Sequence, residues 1–322
     1  MTEARSPADR CLVLDLIKSW FYPLRIYIPY VIDVIMVSDP EHIKRIEASG
    51  DVDRLHTYSS RALPWWVRFY FRATKFYDEE RDLWFLPLES TSDPSYAGRR
   101  AYFEDKVSTG YTQEDVDRIA RLLRANADED VVAHEMVQVV NRRFFGEEIP
   151  PPITEAAKCT LQTFGEAALP WRYLAARRAQ HRVMTHCAAR LPKDAHVLDV
   201  AHNIGEVVQA AVGTLLRLRD NLDRPVEEIF TSHAPTPQVP RIAIRSSTFG
   251  GLLLFPTRPA KTVVIFKIGK AAAKTQDLLF TFSTGRPERA CVFQGFFLAF
   301  MRDLQQALRQ LETLQDQTHM LQ

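Results

Sequence analysis

Apolar residues recur at helical spacing through the middle and the end of the chain. Those between 204 and 222 are separated by 4, 3, 4, 3 and 4 positions, which predicts a helix over about 203–222 with one long buried face: Ile204, Val208, Ala211, Leu215, Leu218 and Leu222. Two further helices are predicted, one over 131–145 that ends at Gly146 and one over about 292–315. Helical patterning therefore dominates 93–225 and returns near the end of the sequence.

Strand character is confined to two short regions. The run IYIPYVIDVIMV at 26–37 is rich in β-branched and aromatic residues and is broken by Pro29, which predicts two short strands. A helix should follow, because Asp39 precedes Pro40 in a typical capping position. Between 241 and 268, RIAIRS, GLLLF and TVVIFKI predict three more strands. The order of elements predicts a mostly α fold with a small β region, and not alternating βαβ units.

Length and composition are those of an ordinary globular protein. The chain has 322 residues, of which 46% are hydrophobic and 25% charged. We expect a single domain over 1–322, with a small N-terminal sheet at 25–37, a helical body at 93–225, a second sheet region at 241–268 and a last segment at 282–315. The formal net charge of +1 provides no broad basic surface, so nucleic-acid binding is not expected.

The cysteines and the start of the chain indicate the cellular compartment in which the protein is expected. Cys11, Cys159, Cys187 and Cys291 are far apart, which excludes a disulfide framework and a thiolate zinc site and suits a reducing compartment. The polar start MTEARSPADR lacks the features of a signal peptide, and no apolar stretch is long enough to span a membrane. We therefore expect a soluble, cytoplasmic protein without a membrane span.

Three segments carry candidate chemistry. Cys291 lies directly before the last predicted helix, where the helix dipole and Arg289 both favour the thiolate, a suitable ligand for haem iron. A second segment runs from Glu228 to Arg241. The third places Glu206 inside the long apolar helix.

Taken in this order, the three segments resemble the cytochrome P450 superfamily, as a shortened and degenerate member of the soluble bacterial type. Phe282, Gly285, Arg289 and Cys291 resemble the haem loop of that family. The resemblance implies that Cys291 is the proximal ligand of haem b and that Phe282 packs near it. Residues 226–243 are similar to the family's E-x-x-R helix and the strand after it, and residues 93–112 to its C helix.

Further roles follow from the same resemblance. Arg241 and Arg289 would bind one haem propionate, and Arg99 or Arg100 the other. Glu206 matches the acid of the family's oxygen-activating pair. The implied activity is that of a haem-thiolate oxidoreductase, a monooxygenase-like enzyme acting on an apolar small molecule with electrons from a ferredoxin-type or flavodoxin-type redox partner.

The sequence departs from the family in ways that affect the activity. Val207 replaces the threonine of the oxygen-activating pair and has no proton to relay, so we expect peroxide-driven oxidation or rearrangement. Thr231 replaces the arginine of E-x-x-R. The loop before Cys291 is two residues longer than the family pattern, and an alternative register of FQGFFLA places Phe293 at the cysteine position. Two other hypotheses therefore stay open: a haem-free auxiliary or binding protein that partners another enzyme, and a decayed copy without activity.

Overall fold

The fold is described from a computed structural model, for residues 23–28, 32–54, 76–78, 83–84, 91, 93–162, 170–193 and 195–320. The strands are β1 (Leu24–Ile28), β2 (Ile32–Val37), β3 (Val52–Asp53), β4 (Tyr77–Asp78), β5 (Leu83–Trp84), β6 (Val239–Ala243) and β7 (Val263–Phe266). The helices are α1 (Pro40–Ser49), α2 (Pro94–Ser108), α3 (Gln113–Arg124), α4 (Glu129–Phe145), α5 (Pro151–Gln162), α6 (Pro170–Arg190), α7 (Val197–Glu206), α8 (Val212–Arg219), α9 (Val226–Ser232), α10 (Ile268–Thr275), α11 (Leu278–Phe282) and α12 (Gln294–Met320). The predicted mostly helical fold with a small β region is confirmed.

One five-stranded mixed sheet joins the two predicted β regions. Its order is β1-β2-β7-β6-β3, with β2 and β7 parallel and the other neighbours antiparallel. Strands from near residue 30 and near residue 265 are therefore direct neighbours. A separate pair consists of β4 and β5. The sheet places Arg241 of β6 close to α1, the helix that follows β2.

The predicted strand–strand–helix sequence at the start of the chain is confirmed. The Asp39 side chain accepts hydrogen bonds from the backbone N–H groups of Glu41 and His42, so it caps α1 as its position before Pro40 suggests. Gly50 ends the helix at a φ of 69°, a conformation that glycine adopts without a steric penalty. The side chains of Ile43, Ile46 and Glu47 point from α1 into the protein.

The predicted GLLLF strand is wrong. Residues 251–255 form turns and bends between β6 and β7. Phe249, Gly250 and Gly251 all have positive φ values, which reverse the chain and are incompatible with an extended strand. Leu254 is 87% exposed, so the apolar run is not a buried strand of the sheet.

The long central helix begins earlier than predicted. It starts at Val197 rather than 203, and a π-helical segment at Val207–Ala211 connects α7 to α8. The first turns contain buried polar residues, which interrupt the apolar pattern on which the prediction rested. The Asn203 side chain donates to that of Asn141 at 2.9 Å, so this polar group is buried with a hydrogen-bond partner. Segments of π-helix are rare and frequently lie at functional sites.

The last helix starts later and ends later than predicted. It begins at Gln294, whose backbone N–H donates to the carbonyl oxygen of Cys291 at 3.0 Å. Its inner face is buried, as the predicted stripe requires. The helix continues to Met320, five residues beyond its predicted end. Within the described parts of the chain, no helix is both long and apolar enough to cross a membrane.

Candidate functional site

Residues 283–293, the cysteine loop, connect α11 to α12 and hold Cys291 in a defined position. The backbone N–H of Cys291 donates to the carbonyl oxygen of Phe282 at 2.9 Å. The Ser283 hydroxyl accepts from the backbone N–H of Arg286 at 3.1 Å and so closes the turn. Gly285 has a φ of 83°, and a Cβ there would lie 3.0 Å from the Phe280 ring. The loop therefore brings together Phe282, Gly285 and Cys291, three residues that the sequence resemblance singled out.

Cys291 has an exposed surface, but its thiol lies among closely packed protein atoms. The residue is exposed to solvent, yet protein atoms surround the thiol closely enough that burial is the largest influence on its pKa. Burial raises the pKa of the thiol and the Glu206 carboxylate raises it further, whereas the Phe293 N–H and the Arg100 guanidinium lower it. The net pKa is raised, because burial outweighs the groups that favour the thiolate.

The positive charge that lowers the pKa of this thiol comes from Arg100 of α2. Arg100 donates to the carbonyl oxygen of Ala290 at 2.9 Å, which ties α2 to the cysteine loop. Arg289, the expected source of charge, pairs with Glu47 instead. Position in the sequence did not indicate this, because Arg100 is 191 residues away from Cys291.

Glu206 ends α7, directly before the π-helical segment. Its carboxylate is near enough to raise the pKa of the Cys291 thiol. A ring nitrogen of His202, Nε2, lies 2.9 Å from the Glu206 carboxylate, and only 3% of the His202 side chain is exposed. The sequence analysis missed His202, although its spacing of four residues from Glu206 places both side chains on one helix face.

Arg241 and Arg289 converge on Glu47 of α1. Arg241 Nε lies 2.7 Å from Glu47 Oε1, and Arg289 Nη1 donates to Glu47 Oε2 at 2.9 Å. Burial lowers the pKa of Arg241 to about 10, and the positive charges of Arg54 and Arg289 lower it as well. The cluster thus gathers the guanidinium groups of these three arginines around the Glu47 carboxylate. The sequence analysis missed Glu47 and Arg54, for which no local motif exists.

Arg99 and Arg100 point to different partners. Arg99 Nε donates to Asp199 Oδ2 at 2.6 Å and Arg99 Nη2 donates to Asp199 Oδ1, a bidentate pair between α2 and α7. Both side chains are only 3% exposed. Arg100, by contrast, contacts the cysteine loop. Of these two arginines, the structure thus brings Arg100 to the candidate site.

Aromatic rings surround the loop. Phe282 packs against Phe230 of α9, with ring centroids 5.2 Å apart. Phe293, the residue at the cysteine position in the alternative register, is 5% exposed and packs between Phe103 and Phe296. Its backbone N–H, however, is directed to the Cys291 sulfur.

The residues of this site suit a haem group. A lone thiol next to a helix N-terminus offers one sulfur ligand to iron, and the nearby guanidinium groups suit carboxylate substituents. A site built from several protein ligands is not seen: in the described segments, no group of three or more His, Cys, Asp and Glu side chains is arranged around a metal position. Cys187 is fully buried, and burial raises the pKa of its thiol to about 12.

Sequence comparisons find no match, whereas structural comparisons find proteins of similar fold. No protein-family model and no curated protein sequence matches the chain. A cyanobacterial cytochrome P450 with bound retinoic acid, CYP120A1, matches with a TM-score of 0.60 and 12% identity over 92% of this chain and 86% of that one. A six-coordinate cytochrome P450 from Thermus thermophilus matches with a TM-score of 0.54 and 17% identity over 92% of this chain and 89% of that one.

A third match is cytochrome P450 PksS, from the bacillaene polyketide synthase of Bacillus subtilis 168. Its TM-score is 0.54 and its identity 13%, over 92% of this chain and 87% of that one. The matches extend over nearly all of both chains, so the similarity concerns the whole architecture and not one motif. Similarity of fold does not by itself determine activity. The chain has the fold of a cytochrome P450.

Proposed function

We propose that the protein is a haem-thiolate oxidoreductase that acts on an apolar small molecule. One observation carries the proposal: the Cys291 thiol lies three residues before the first residue of α12, receives the Phe293 N–H, and is near enough to Glu206, beside the π-helical segment, for that carboxylate to raise its pKa. A sulfur ligand and an acid next to a distorted helix are groups that a haem site would use.

Each site residue has a role in this proposal. Cys291 binds the iron of haem b, and Phe282 packs next to the ligand loop. Arg241 and Arg289 bind a propionate while they remain paired with Glu47. For the second propionate we propose Arg100 rather than Arg99, because the Arg99 guanidinium is held by Asp199.

The chain's own residues determine how protons are delivered. Bound haem would supply the redox chemistry that activates an oxygen atom. The Glu206 carboxylate and the His202 imidazole, 2.9 Å apart at the end of α7, are the groups that would transfer protons. Val207 follows Glu206 directly and has neither a donor nor an acceptor in its side chain. Proton delivery is therefore incomplete. This favours peroxide, in which the oxygen is already partly reduced, over dioxygen as the oxidant.

The expected result is faster turnover with hydrogen peroxide than with dioxygen. Haem-loaded protein is mixed with a panel of apolar substrates, once with peroxide and once with dioxygen and electrons from a ferredoxin or flavodoxin system. Product formation per haem is compared at matched substrate concentrations. Equal or faster turnover with dioxygen would show that Val207 does not limit proton delivery, and rearrangement products without either oxidant would indicate an isomerase-type reaction.

Absorption spectroscopy tests the proposed cofactor. The protein is expressed with a haem precursor and reduced, and a difference spectrum is recorded after carbon monoxide is added. A Soret band at the red-shifted position typical of thiolate-ligated haem is expected. Folded protein that shows no Soret absorbance would contradict the proposal.

A second candidate function is that of a haem-free auxiliary protein that partners another enzyme. It is favoured by a specific observation: Arg99, Arg241 and Arg289 each already bind a protein carboxylate, Asp199 in the first case and Glu47 in the other two. If haem does not bind, affinity purification of the intact chain followed by identification of a co-purifying enzyme tests this function.

A further inference from the structure

Glu228 and Thr231, at the first and last positions of the E-x-x-R match, both form their contacts outside the cysteine loop. Glu228, the match to the E-x-x-R glutamate, forms a salt bridge at 2.6 Å with Arg224, four residues before it, and its side chain is 45% exposed. Thr231 stands where that motif has arginine, and its hydroxyl donates to the Gln276 side chain at 2.6 Å. Neither contact reaches the segment between Phe282 and Cys291.

Helix α1 reaches that segment instead. The Glu47 side chain is only 1% exposed, and its carboxylate binds Arg289, two residues before Cys291, and Arg241 on the sheet. The carbonyl oxygen of the same residue accepts a hydrogen bond from Arg286 at 3.3 Å. One residue of α1 thus contacts the cysteine loop twice and connects it to β6.

The position of the cysteine loop should depend strongly on the Glu47 carboxylate, for an energetic reason. Arg241 and Arg54 are each 4% exposed, and burial lowers the pKa of both guanidinium groups. Removing the Glu47 carboxylate from among these arginines would leave buried positive charges to repel one another, and breaking a buried ion pair on one side costs more than the pair itself contributes. The loop that carries Arg289 can relieve this repulsion by moving away, whereas the sheet strand is held by its neighbours.

We propose that Glu47, and not Glu228, is the residue that positions the Cys291 loop. This inference rests on the proposed function only in calling Cys291 the haem ligand. Glu47 acts through Arg286 and Arg289 and does not touch the reacting atoms, so it is a positioning residue and not a catalytic one.

Hydrogen exchange tests the inference without haem. Three full-length proteins, purified without haem, are compared: wild type, Glu47→Gln and the matched control Glu228→Gln. The control removes one negative charge, as Glu47→Gln does, but at Glu228. Exchange of the amides in 283–292 should become about tenfold faster in Glu47→Gln and stay unchanged in Glu228→Gln, while helix α3 remains protected in both. Faster exchange in Glu228→Gln, or equally faster exchange throughout the Glu47→Gln protein, would overturn the inference.

A spectroscopic measurement separates positioning from simple stabilisation. In haem-loaded protein, Glu47→Gln should convert part of the thiolate-type carbon monoxide band to a blue-shifted band, Glu47→Asp should restore it in part, and Glu228→Gln should leave it unchanged. An unaltered band in Glu47→Gln would overturn the proposed role.

If wild-type protein binds no haem, the proposed function fails while hydrogen exchange still decides the role of Glu47. Should Glu47→Gln not fold, Arg289→Gln removes the loop side of the same pair and must give the same local increase in exchange.

Discussion

Replacement of Cys291 by serine is expected to abolish the red-shifted Soret band of the reduced carbon monoxide complex. A serine hydroxyl stays protonated near neutral pH and cannot replace a thiolate as an electron-donating ligand. The change is small in volume, and residue 291 is exposed, so the fold should be preserved. The measurement is the difference spectrum per mole of folded protein, with circular dichroism to confirm equal helical content.

A matched control is provided by a second cysteine. Cys187 is fully buried in α6, and burial raises the pKa of its thiol to about 12, so Cys187→Ser should keep the band. A third variant decides whether residue 291 or residue 293 occupies the cysteine position of the family pattern. Phe293→Cys in a Cys291→Ser background should not restore the band, because the side chain at 293 packs among Phe103 and Phe296. Restoration would mean that position 293 faces the iron and that the alternative register is right.

Arg99→Met is expected to lower the free energy of unfolding by about 3–5 kcal/mol, the usual cost of removing one partner of a buried ion pair. Methionine retains the apolar stem of arginine but leaves Asp199 without its bidentate partner at a position that is only 3% exposed. Because the pair joins α2 to α7, its loss also weakens the packing next to Glu206. Chemical denaturation of wild type and variant, monitored by circular dichroism, gives the difference.

Two further variants make this measurement decisive. Arg118→Ala removes a partly exposed arginine that pairs with Glu135, and it should cost at most about 1 kcal/mol. Arg99→Met combined with Asp199→Leu replaces the ion pair by apolar side chains and should recover most of the loss. If the double variant is as unstable as Arg99→Met alone, the loss of packing around α2 explains the effect and the buried charge does not.

Local sequence pattern was sufficient to predict most elements of the fold. The apolar stripe from Phe297 to Leu311, the Asp39 cap and the Gly146 end of α4 are each determined by residues within a few positions of one another, and each is found as predicted. The loop from Phe282 to Cys291 is also closed by a local contact, since the residues that its backbone hydrogen bond joins are only nine positions apart. The order of these segments was also enough to recognise the cytochrome P450 fold.

Local pattern failed where partners are distant in sequence. The GLLLF run reads as a strand by composition, but the positive φ values at 249–251 turn it outwards. Asp199 and His202 interrupt the apolar stripe, so the start of α7 was placed too late, although both are buried next to polar partners. A buried polar residue and an exposed one look alike in a sequence until the partner is known.

Sequence pattern was enough to predict the class of fold, the helix boundaries set by local caps, and the position of Cys291 shortly before the last helix. The folded structure was needed to show which charged groups meet: Arg99 with Asp199, and Arg241 and Arg289 with Glu47. Helix periodicity and capping act over a few residues, whereas an ion pair requires only that two side chains are close in space. Glu47 and Arg289 are 242 positions apart, and no periodicity in the chain connects them.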